Sequence, residues 1–321
     1  MGQHGGDIYS EEIQKQIAKE DRKFLDFSAN INPLGMSAGV RLAVMEALDK
    51  AEHYPDPESR KLKHALAEYH EVPEEALICG NGGADLIYRL AYGTKPAHAL
   101  LTAPTFLEYE EALKQVETKI HIYEMQPDYR VREDILEQMT EDMDVMFLCN
   151  PNNPTGILTD REFLFHVLRR CRELGILLVV DECFLDFVKE PGKYSLKAQL
   201  SRYHNLFILK AFTKRYAMAG IRLGYGLSEN EELLEKMAQV TQPWNISVMA
   251  EMAGIAALKE NAYVEKGRKT IFEEAPCLKK GLEELGFTVY PSEANYIFFR
   301  GEPGLFEKGI RNGVIIRDCS N

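Results

Sequence analysis

The chain has 321 residues, 45% of them hydrophobic, with a formal net charge of −12 and a pI near 5.3. That length exceeds one typical core and suits a large α/β domain with a smaller partner. The acidic surplus excludes a surface for nucleic-acid backbones and leaves room for a small anion in a local pocket. With neither a leader-like segment nor an apolar run long enough for a membrane span, the chain is expected in the cytosol. Its six cysteines form no C-x-x-C pair and are expected to be reduced and structural.

In chain order, residues 1–45 carry polar, Gly and Pro punctuation, "HGGDIY" and "NINPLG", and read as an arm or loop contributing to the site. From about residue 75, short apolar runs alternate with amphipathic stretches: "ALIC" then "ADLIYRLAYG", "HALLT" then "FLEYEEALKQVE", "DVMFL" then "DREFLFHVLRRCRELG", followed by "ILLVVDE", "LFILK" and "RLGYGL". This alternation predicts a largely parallel sheet covered on both faces, in a large domain over 46–235. After Ser228 the pattern is helical to about residue 285; "FTVYP", "NYIFF" and "GVIIRD" then predict a smaller sheet in a C-terminal domain, 236–321.

Ligands of such sheets bind beyond the carboxyl ends of the strands, and the chemistry-bearing residues follow apolar runs. Lys214 lies just past "LFILK", and a turn ending in Gly220 can fold Arg222 back beside it. An arginine fork suits a phosphate dianion, and a partly discharged lysine amine can form a Schiff base. Asp181 ends "ILLVVD", where a carboxylate is costly unless paired; it could cap a helix or face a protonated ring nitrogen. The turn "CNPNNPTG" presents Asn153. "CGNGGADLIYRL" runs a strand through Gly82 and Gly83 into a helix whose N–H groups can hold one phosphate; the spacing does not match a dinucleotide fingerprint. Phe106 can stack on a flat ring or fill core.

Together, "NNPTG", Asp181 and "TKRYAMAGIRLGY" resemble the fold type I pyridoxal-phosphate enzymes over nearly the whole chain, in the branch of histidinol-phosphate aminotransferase and threonine-phosphate decarboxylase. The resemblance implies pyridoxal 5'-phosphate bound covalently to Lys214, with Asp181 at the ring nitrogen and Asn153 at the 3-oxygen. It places Phe106 on the ring and Gly83, Ala84, Thr213 and Arg222 at the phosphate. Tyr54 would reach a phosphate across a homodimer interface, and no metal is implied.

"HGGDIYS", "LDFSANINPLG", "QPWNISVMAEMAG" and "IIRDCSN" look like the decarboxylase of cobalamin biosynthesis, which implies His4, Gly5, Asn30, Asn153 and Arg317 on a small phosphorylated amino-acid substrate. The alternatives are the aminotransferase and a catalytically idle cofactor-binding homologue. Phe184 stands where many relatives carry a tyrosine, and Ala211 where many carry Ser or Thr. Relatives usually continue past "IIRDCSN" into a strand with a carboxylate-binding arginine, so the small domain reads as incomplete and turnover of the chain as written is expected to be poor.

Overall fold

The computed structural model describes residues 5–11, 13–15 and 24–319, so His4 lies outside the described residues. In chain order the strands are β1 (Leu25–Asp26), β2 (Leu77–Gly80), β3 (His98–Ala103), β4 (Lys119–Glu124), β5 (Val145–Cys149), β6 (Leu177–Asp181), β7 (Leu206–Ala211), β8 (Gly224–Leu227), β9 (Thr288–Val289), β10 (Phe299–Arg300) and β11 (Val314–Ile315).

Seven of them form one sheet in the order β2-β8-β7-β6-β5-β3-β4. Neighbours from β7 to β4 are parallel, whereas β8 runs antiparallel between β2 and β7. The uninterrupted apolar runs of β5, β6 and β7 are explained by cover on both faces. On one face Met146, Leu148, Leu178, Val180, Leu206 and Ile208 meet the helices Arg60–His70, Arg161–Leu174 and Val248–Ala257. On the other, Val145, Phe147, Val179, Phe207 and Leu209 meet Gly83–Thr94, Glu108–Lys114 and Glu231–Gln239. Full burial of each large side chain contributes about 1.5–3 kcal/mol.

Register sets where the chemistry can lie. Cys149 pairs with Asp181, Asp181 with Leu209, Ala211 with Gly224, and Gly224 with Gly80. Because β8 runs the other way, its first residue lies on the same rim as the last residues of β2, β5, β6 and β7. The segments carrying Gly83, Asn153, Lys214 and Arg222 therefore leave or enter the sheet along one edge.

Two expectations change. The N-terminal loop ends at Ser37, whose hydroxyl caps the helix Ala38–Leu48 by accepting from the Val40 N–H, and Val40 packs into the core. The late strands do not form one small sheet: β9 pairs with β10, while β11 pairs in parallel with β1. The reason is a satellite apolar cluster in which Ile310 and Ile315 pack on Ile13 from the N-terminal segment. All six cysteines are free, but Cys277 is exposed rather than buried. No helix among the described residues is long and apolar enough to cross a membrane, and no cluster of His, Cys, Asp or Glu among them could hold a metal ion.

Candidate active site

After β7 the chain makes the short helix Phe212–Arg215, anchored by the buried Phe212 ring against Tyr216 and Tyr225. Lys214 then leaves the rim with its Nζ donating to the Ala29 carbonyl at 2.8 Å and 5.7 Å from the centre of the Phe184 ring. Among the described residues no carboxylate forms an ion pair with it. Burial, opposed by Cys183 and reinforced by Arg317 and Arg222, brings its pKa down from 10.5 to about 8. An amine so placed is partly neutral near physiological pH and can act as a nucleophile.

Beside it, Gly82 precedes the helix Gly83–Thr94 with φ +89°. The Arg222 guanidinium lies directly against this glycine: a Cβ there would stand 2.4 Å from Arg222 Nη2. Backbone N–H groups at the helix start, with Gly83 and Ala84 as its first residues, and the arginine fork thus face one spot, as an anion requires. Thr213 is buried next to Lys214. Arg222 also lines a cleft of about 530 Å³ with Tyr54, Asn81 and Trp244.

Asp181 is 4% exposed. Its Oδ2 accepts from the Tyr109 hydroxyl at 2.7 Å and its Oδ1 from the Cys183 N–H at 2.9 Å. Phe106 stands edge-on to Tyr109, with centroids 5.5 Å apart. Asn153, also buried, accepts at Oδ1 from Arg317 Nη1 at 3.0 Å.

The N-terminal arm closes this side. Phe27, just past β1, donates from its N–H to the Ile315 carbonyl of β11, and Ser28 and Ala29 follow. Gly5 lies on Ser28 so closely that a Cβ would meet its carbonyl oxygen at 1.8 Å, and the Gly6 N–H donates to Ser28 Oγ at 2.7 Å. Asn30 takes φ +52°, and its carbonyl accepts from Asn295 Nδ2 at 2.9 Å. The β1–β11 pair therefore places both Ala29 on Lys214 and Arg317 on Asn153.

Tyr54 is 78% exposed and stacks on Trp244, with centroids 4.4 Å apart, so within one chain it joins the Arg222 cleft. Phe184 packs edge-on against Tyr296, whose hydroxyl donates to the Asn152 carbonyl. Sequence reasoning missed Tyr109, Cys183, Asn295 and the Ala29 carbonyl. Tyr109 had a signal, because a tyrosine on the buried side of an amphipathic helix needs a partner for its hydroxyl; a backbone carbonyl has none.

An amine-bearing turn at the rim of a mainly parallel sheet, facing an anion cradle and a buried carboxylate, defines the fold type I class of pyridoxal-phosphate enzymes. The profile of the aminotransferase class I and II family matches residues 22–320, and the chain belongs to that family. A threonine-phosphate decarboxylase of Salmonella typhimurium is 36% identical over 324 residues, covering 99% of this chain and 88% of that protein. A histidinol-phosphate aminotransferase of Moorella thermoacetica is 34% identical, covering 96% and 80%. Among solved structures, a histidinol-phosphate aminotransferase from Clostridium acetobutylicum superimposes with TM-score 0.85 at 30% identity, covering 91% of this chain and 88% of that one. An L-threonine-O-3-phosphate decarboxylase from Porphyromonas gingivalis gives 0.80 at 26%, covering 89% and 87%. Family membership indicates pyridoxal phosphate as the cofactor. The donor set fits it: an amine for the aldehyde, a guanidinium and helix start for the phosphate, and a buried carboxylate for the ring nitrogen.

Proposed function

We propose that the chain is a carboxy-lyase that removes CO2 from L-threonine O-3-phosphate and leaves (R)-1-amino-2-propanol O-2-phosphate, in cobalamin biosynthesis. The observation that carries this reading is the seating of the Gly5–Gly6 turn on Ser28, next to the carbonyl that holds the Lys214 amine. In this reading the arm would meet the substrate phosphate on the lysine side of the site, and Asn30, whose carbonyl accepts from Asn295, and Arg317, which donates to Asn153, would add to it. The 36% identity to the Salmonella decarboxylase supports it.

Bound pyridoxal phosphate would supply an electron sink for the substrate α-carbon. Lys214 would hold the cofactor and, as an ammonium, would supply the proton at the substrate α-carbon. Asp181 would hold the ring nitrogen in its protonated form, Phe106 would cover the ring, and Asn153 would donate to the 3-oxygen. Gly83, Ala84, Thr213 and Arg222 would hold the cofactor phosphate. His4, Gly5, Asn30 and Arg317 would hold the substrate and orient its carboxylate, rather than its α-hydrogen, for loss. The working unit in this reading is a cytosolic homodimer in which Tyr54 serves the partner's phosphate. The exposed Leu42, Met45 and Leu48 on one side of the helix Ala38–Leu48 support such an interface.

The second reading, histidinol-phosphate aminotransferase, is supported by the Moorella relative and the Clostridium structure. Incubation of the holoenzyme with threonine phosphate should release CO2. Glutamate formed only from histidinol phosphate and 2-oxoglutarate would replace the lyase by the transferase. Product from neither, in a cofactor-loaded protein, would mark an idle homologue.

A further inference from the structure

Asp181 is buried beside groups that cannot balance its charge. The titratable side chains facing it are Tyr109 from the helix Glu108–Lys114, Cys149 at the end of β5, Cys183 in the loop after β6, and Tyr296 from the segment after β9. Burial pushes all four above their ordinary pKa values, so all four are neutral at physiological pH. No Lys, Arg or His among the described residues forms an ion pair with Asp181. A buried carboxylate in such surroundings depends on hydrogen-bond donors. From its own chain it receives the Cys183 N–H and the Tyr109 hydroxyl, with the Cys183 thiol also against it. The first is backbone and fixed by the loop; of the side chains against the carboxylate, Tyr109 places its hydroxyl 2.7 Å from Oδ2, and the Cys183 thiol is the weaker donor.

Tyr109 is also held rigidly. It is fully buried, stacked on Phe147 with centroids 4.9 Å apart and met edge-on by Phe106. The hydroxyl cannot swing away from Oδ2 without disturbing the ring packing on which Phe106 rests. One residue thus braces both the carboxylate and the aromatic that faces the cofactor ring.

We propose that Tyr109 is a positioning residue whose hydroxyl, by donating to Asp181 Oδ2, keeps the shared proton on the cofactor's ring nitrogen rather than on the carboxylate. Donation favours the anionic form of the carboxylate. Without it the proton moves from the ring nitrogen to an Asp181 oxygen, the ring becomes neutral, and its electron-withdrawing power falls. No other bond changes. The inference rests on the cofactor assignment and holds for decarboxylation and amino transfer alike.

The test uses the holoenzyme without substrate. Tyr109→Phe keeps the ring stack and removes only the hydroxyl. Parent and variant are loaded with pyridoxal phosphate carrying 15N in the ring, and the nitrogen signal is followed with pH. The parent should show a protonated nitrogen at neutral pH; the variant should lose that proton about one pH unit lower or more and bind the cofactor about tenfold more weakly. In turnover with the active substrate, kcat should fall while KM stays close to the parent value. A folded variant with an unchanged titration overturns the proposal. A parent whose ring nitrogen is unprotonated at neutral pH also overturns it, without reference to any variant. Failure of the decarboxylase reading would show in the CO2 assay and leave this titration untouched.

Discussion

β7 and the turn that follows it carry cations in opposite ways. On one face Lys210, 7% exposed, lies 3.2 Å from Glu182 and 3.8 Å from Asp186, and Arg215 lies 3.2 Å from the same Asp186. Burial pulls Lys210 down, yet Asp186 and Glu182 outweigh it and its pKa ends above the ordinary value. His70, depressed to about 3 by burial and by Lys210, stays neutral beside them and shares a hydrogen bond with Tyr225. Past the end of β7, Lys214 and Arg222 form no ion pair with a carboxylate among the described residues, and Lys214 falls to about 8. Four residues along the chain turn a lysine from a compensated structural cation into a nucleophile. The difference lies in what faces each amine, not in the residue type.

Each of the two lysines can be probed by its own substitution. Lys214→Ala should lower turnover about 10⁴-fold, abolish labelling by borohydride at that position, and leave the urea midpoint unchanged or slightly raised, since no ion pair is lost. Next in size, Lys210→Ala should cost about 3–5 kcal/mol of unfolding free energy in a urea titration, because it leaves Glu182 buried without its cation. The folded fraction of that variant should still take up cofactor. The mildest test sharpens the contrast through pH. Only the neutral amine attacks an aldehyde, so the rate of cofactor reconstitution should rise about tenfold per unit up to about pH 8 and then level off. A rate that keeps climbing toward 10.5, the ordinary lysine value, would show that burial does not tune Lys214.

Much of this was legible in the sequence. The parallel sheet could be read because β5, β6 and β7 are continuous apolar runs, and Asp181, Lys214 and Arg222 because each follows or precedes one. The partition of the four cations was only half legible. Strand alternation puts Lys210 on the face of Leu206 and Ile208, but the carboxylates that receive it come from the loop after β6 and carry no periodic signal. The arm was illegible for another reason. Its position depends on two-residue strands, β1 and β11, separated by almost the entire chain, and on backbone groups such as the Ala29 carbonyl.

That pairing has a consequence for how the protein is made. On the ribosome β1 emerges early, while its sheet neighbour among the described residues, β11, is among the last described segments to appear. Until then the arm has no edge to align with, the amine at the rim stays uncovered, and the nascent large sheet can already meet small aldehydes from solution. Capture of the cofactor can therefore precede closure of the arm during synthesis, whereas in refolding from the full-length chain the two events compete.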